Sequence, residues 1–60
     1  MKKAYVIVMN PGTRDEEIFN HEFWGTSLAY ERMRELEENF PKNSFDVLKK
    51  LPDGSYTTEF

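Results

Sequence analysis

Sixty residues carrying eleven acids against eight bases, a net charge of −3 and no cysteine make up a chain shorter than one typical domain. The missing cysteine excludes disulfides, thiolate chemistry and cysteine-ligated zinc. The acidic balance opposes a general nucleic-acid binder, which is normally basic.

The first apolar run, Ala4 to Met9, is β-branched and aromatic, and its brevity and β-branching predict a strand. It is too short to cross a bilayer or to serve as a secretory signal, so a cytoplasmic protein without membrane contact is expected. Asn10-Pro11-Gly12 ends it. Proline presets the first turn position and glycine accepts positive φ at the next, which predicts a type II turn.

Glu16 to Trp24 reads as a second strand, with a long functional loop as the alternative. As a strand it would place Glu17, Phe19, His21 and Phe23 on one face, and Ile18, Asn20, Glu22 and Trp24 on the other. Gly25 breaks this pattern, and Thr26 or Ser27 is expected to cap a helix. Ala29, Met33, Leu36 and Phe40 follow at helical spacing and form its apolar stripe. Leu28 and Tyr30 flank the stripe. Arg34 lies within helical reach of Glu31, Glu37 and Glu38, and these acids together with Glu35 read as a solvated face. Pro41 ends the helix at Phe40, because the residue before a proline avoids helical geometry.

Phe45 to Lys49 and Ser55 to Phe60 are the last two predicted strands. Between them, Leu51-Pro52-Asp53-Gly54 predicts a type I turn followed by a glycine bulge. The order strand, strand, helix, strand, strand predicts one α+β domain over residues 1–60, a two-layer ββαββ sandwich. A right-handed crossover from the second strand to the third passes over the first and gives a four-stranded antiparallel sheet of order 2-1-3-4, with the helix on one face.

A resemblance follows from the segments Tyr5 to Val8, Phe40-Pro41, Asp46 to Lys49, Pro52 to Gly54 and Thr57 to Phe60. In that arrangement the chain resembles short proteins encoded by bacteriophages and prophages, a resemblance that implies genomic origin and no activity.

Catalytic chemistry finds little footing. His21 is the only histidine, and one imidazole nitrogen falls short of the three or four convergent ligands of a zinc site. Asp15, Glu16 and Glu17 are too local to form an opposed carboxylate pair. Ser27, Ser44 and Ser55 lie in turn or capping positions outside any nucleophile elbow. Gly12, Gly25 and Gly54 are too far apart for a phosphate loop. No catalytic residue, metal or cofactor is therefore expected.

Two binding readings remain. Tyr5, Phe19, Phe45 and Tyr56 on a sheet face could stack single-stranded bases, with Lys2, Lys3, Lys49 and Lys50 on phosphates. The leading expectation is an accessory protein that works through protein contacts. Tyr5, Ile7, Met9 and Trp24 are its candidate interaction residues, since tryptophan is enriched at interface hot spots. Tyr5, Ile7 and Met9 oppose Ala4, Val6 and Val8 across the first strand, and one helix covers one face. An uncovered apolar face predicts a homodimer or a reserved partner surface.

Overall fold

A computed structural model of the chain describes residues 3–59, so Lys2 and Phe60, assigned above to phosphate contact and to the last strand, lie outside the described residues. The elements follow the expected order: β1 (Tyr5–Met9), β2 (Glu17–Ile18), α1 (Thr26–Asn39), β3 (Phe45–Lys50) and β4 (Tyr56–Thr57). They form a four-stranded antiparallel sheet of order β2-β1-β3-β4. β2 and β3 thus flank β1, and the helix makes the crossover between them. The α+β class and strand order are those read from the sequence.

β1 takes a central place because its side chains are apolar on both faces. Its longest pairing is with β3, from Tyr5 opposite Lys49 to Met9 opposite Phe45. Tyr5 and Val47 pack against Ala29 of the helix, with Phe23 and Met33 closing the cluster. Strand alternation then puts Ala4, Val6 and Val8 on the face away from the helix. The open apolar face expected there is not found. Val6 and Val8 are each 1% exposed within the single chain. The sheet is curled into a half-barrel, so counting flat faces overstates what one helix leaves bare.

β2 is much shorter than Glu16 to Trp24. Its ladder with β1 covers Val8–Ile18 and Met9–Glu17, and the Phe19 N–H still donates to the Ile7 carbonyl at 2.9 Å. Continued in register, Tyr5 would face His21. It pairs instead with Phe23, in both directions at 2.8 Å. Two extra residues are therefore accommodated between Phe19 and Phe23, and the segment is a strand interrupted by an outward arc. Because two residues preserve the alternation, Phe19 and Phe23 still share the helix-facing side.

The helix begins one residue earlier than a Thr26 or Ser27 cap requires. Gly25 is the cap, in extended backbone with no side-chain hydrogen bond, and both hydroxyl residues are already helical. Ala29 and Leu36 are buried and Met33 is half-buried, as the stripe predicts. Phe40 departs from it at 51% exposure. It is the C-cap, its φ of −131° and ψ of 67° lie outside helical geometry ahead of Pro41, and its side chain leaves the stripe. The ion pair on the helix joins Arg32 to Glu35 at 2.8 Å rather than involving Arg34. At the surface such a pair contributes little.

Both turns take the expected form. The Thr13 N–H donates to the Asn10 carbonyl at 3.3 Å, with Gly12 at φ +78°. In the closing turn the Gly54 N–H donates to the Leu51 carbonyl at 2.9 Å and the Leu51 N–H to the Ser55 carbonyl at 2.8 Å. Asp53 locks it from outside, its Oδ1 accepting from the Ser55 hydroxyl at 2.6 Å and the Ser55 N–H at 2.9 Å. These two bonds, the hydroxyl first, hold the Asp53 carboxyl below its ordinary range. Gly54 has φ +89°, and a Cβ built there meets nothing within 4 Å. Gly54→Val should therefore destabilise through its backbone alone, by about 1–2 kcal/mol. Gly54→Asn, which tolerates left-handed backbone, should lose less. Urea midpoints of the two variants check this; a Gly54→Val protein of full stability would remove the turn from the account.

Candidate functional site

The outward arc of β2 creates a cleft. Between residues 17–23 and the helix lies an open depression of about 650 Å³, lined by Ile7, Ile18, Phe19, Phe23 and Leu36, with Glu17, Asn20, His21 and Arg32 also on its walls. The volume falls in the range of small-ligand and side-chain pockets. Ile7 and Leu36 form its floor because both are buried where sheet and helix meet. Arg32 reaches the wall from the next helical position, and its guanidinium is held by Glu35. The His21 ring stands edge-on to Phe23, with centroids 4.6 Å apart.

Two exposed apolar side chains border this cleft in the chain. Trp24 follows Phe23 and is 61% exposed; Leu28 lies one helical turn before Arg32 and is 56% exposed. Of the four candidate interaction residues, Trp24 is thus at the surface. Tyr5 and Ile7 belong to the core under the helix, and Met9 is half-buried at the end of β1. Of the cleft-wall residues Phe19, Phe23, Arg32 and Leu36, the sequence points to a binding role for Phe19 alone, as a base-stacking candidate. The available signal was Leu28, a large apolar residue lying off the stripe of a short helix.

The base-stacking set is not assembled as a single surface. Tyr5 is buried against the helix, Phe19 lines the cleft, Phe45 is half-buried and Tyr56 is exposed on β4. Lys3, Lys49 and Lys50 do converge elsewhere, around a concavity of about 530 Å³ that also includes Ala4, Leu51 and Pro52. Glu22 enters it too and meets the Lys50 ammonium at 3.5 Å.

Ser44 and Ser55 serve turns, donating their N–H groups to Asn10 and Asp53. Among the described residues no group of three or more His, Asp or Glu side chains is placed to hold a metal ion. Among them, too, no helix is long and apolar enough to cross a membrane. Compared with known protein families, curated proteins and solved structures, the chain gives no match.

Proposed function

We propose that the chain is a small non-catalytic accessory protein, cytoplasmic and acting through protein contacts at the cleft between β2 and the helix. The observation that carries this reading is the placement of Trp24 and Leu28. Both are largely exposed, and each adjoins a cleft-wall residue in sequence, Trp24 following Phe23 and Leu28 lying one helical turn before Arg32. Tryptophan and leucine held out of a small core are costly in solvent, and burying them against a partner recovers that apolar area. The resemblance to phage-encoded proteins suits an accessory role of this kind.

A second copy is the partner favoured for the Trp24 and Leu28 side chains themselves. With Val6 and Val8 already buried, a homodimer would have to form here rather than on the back of the sheet. Sedimentation equilibrium over about a hundredfold concentration range should show mass rising above the monomer, and Leu28→Glu should abolish the rise. The competing reading, single-stranded nucleic acid on the lysine concavity, is separated by Trp24 fluorescence. In about 0.15 M salt, single-stranded oligonucleotides should leave the emission unchanged. Saturable oligonucleotide binding, combined with a monomer at every concentration, would replace the protein-contact reading by the nucleic-acid one.

A further inference from the structure

Lys3 and Ala4 lead into β1, Lys49 and Lys50 end β3, and Leu51 and Pro52 open the closing turn, so antiparallel pairing brings all six to one end of the sheet. They line the concavity of about 530 Å³, with Glu22 as its remaining wall residue. Lys49 lies on an inner strand, opposite Tyr5 on one side and Thr57 on the other. The Lys50 N–H donates to the Ala4 carbonyl at 2.9 Å. The backbone beneath two of the three ammonium groups is thus fixed by strand pairing rather than carried on a loop.

Charge sets this place apart. The lining takes three of the chain's eight bases and one of its eleven acids, a local reversal in a chain of net charge −3. Glu22 offsets Lys50 at 3.5 Å. Among the described residues Lys3 and Lys49 meet no carboxylate, which leaves two uncompensated positive charges on one concavity. Ala4, Leu51 and Pro52 give the same concavity an apolar wall.

We propose that this concavity binds a small phosphate monoester with an apolar body. Such a group carries about −1.5 to −2 charge at neutral pH, the amount that Lys3 and Lys49 leave unmatched. A carboxylate or a phosphodiester brings a single negative charge and matches half of it. Lysine holds phosphate as a point charge, without the fixed fork that arginine requires. The apolar body of the ester rests on Ala4, Leu51 and Pro52, and the volume suits a small ligand. A nucleic-acid strand is disfavoured, because it needs a basic groove that follows several nucleotides, and these lysines are gathered in one place. The proposal does not rest on the contacts of Trp24 and Leu28, so its outcome leaves the protein-contact reading to its own tests.

The test titrates the full chain with phenyl phosphate, inorganic phosphate, benzoate, a short phosphotyrosine peptide and a single-stranded oligonucleotide without terminal phosphates. Backbone amide shifts by NMR report where each binds. Phenyl phosphate should shift Ala4, Lys49, Lys50 and Leu51 saturably, and should bind about tenfold more tightly than benzoate or inorganic phosphate. Its affinity should fall with salt. Its advantage over benzoate should shrink between about pH 7.5 and about pH 5, as the ester takes up its second proton. Lys3→Met combined with Lys49→Met should weaken it at least about tenfold, and Lys3→Met alone, at an exposed position ahead of β1, about threefold. Glu22→Gln should tighten it about threefold by releasing Lys50. Equal binding of benzoate, or undiminished binding to the double lysine variant, would overturn the match of a dianion to two lysines. Equal binding of inorganic phosphate would overturn the apolar body. A phosphotyrosine peptide bound about tenfold more tightly than phenyl phosphate would overturn the small ligand in favour of a phosphorylated protein. Tighter binding of the oligonucleotide at the same amides would put nucleic acid in its place. No shift at these amides with any probe would overturn the site.

Discussion

Ile7→Ala is expected to leave most of the protein unfolded at room temperature. Ile7 is fully buried, stands opposite Val47 on the central strand pair and forms the floor of the cleft. Truncating a buried isoleucine to alanine removes its transfer free energy and leaves a cavity, a loss of about 2–5 kcal/mol. A single core of this size supplies about 3–5 kcal/mol in total. Glu37→Ala, on the exposed side of the helix, should change stability by less than about 0.5 kcal/mol. Urea denaturation followed by circular dichroism compares the two. Midpoints displaced by equal amounts would show that the sheet–helix interface is not where the stability resides.

The second large effect is expected at Asn10. This residue ends β1 with φ +51°, in the left-handed region. Its Oδ1 accepts the Ser44 N–H at 3.0 Å and its Nδ2 donates to Asn43 Oδ1 at 3.2 Å. Its own N–H donates to the Ser44 carbonyl at 2.7 Å. One side chain thus ties the loop after the helix to the loop after β1. Asn10→Ala removes both side-chain bonds and leaves its Cβ in left-handed backbone without them to offset the strain, a loss of about 2–3 kcal/mol. Asn10→Gly removes the same bonds but relieves the backbone, so it should lose about 1–2 kcal/mol. Thermal melts of the pair separate the two contributions. If alanine and glycine proved equally destabilising, the left-handed conformation would carry no cost and the side-chain bonds would account for everything.

The sheet order was legible because it needs few facts: an apolar first run, a mid-chain helix and a closing turn restrict the topology to one simple crossover. The helix stripe was legible for Ala29, Met33 and Leu36 because each sits within a regular turn. It fails for Phe40, where the backbone geometry imposed by Pro41 outweighs periodicity and turns the side chain off the stripe. The cross-loop role of Asn10 is illegible for a different reason. Its partners Asn43 and Ser44 are remote in sequence, and nothing local distinguishes it from an ordinary turn asparagine. The cleft was illegible on the same ground. It exists because two residues are extruded from the edge of the sheet, and the strand pattern of Phe19, His21 and Phe23 looks the same with or without that extrusion. Curling closed the back of the sheet, which alternation alone had left open.

The pairing of β1 with β3 bears on how the chain is made. The central strand precedes its longest partner, Phe45–Lys50, by the whole of the β2 segment and the helix. Until those residues emerge, β1 can pair only with the interrupted β2 segment, at Glu17–Ile18, Phe19 and Phe23, and a helix of this length is marginal by itself in water. The nascent chain therefore carries Tyr5 to Met9 without their main partner until Phe45–Lys50 is made. That stretch is uncharged, β-branched and free of proline, the composition most prone to stack into cross-β aggregates. Topologies dominated by such distant contacts also fold more slowly than helical ones. An aggregation-prone strand that must wait for a partner beyond the helix thus ties the solubility of the growing chain to how well β1 is shielded before β3 is made.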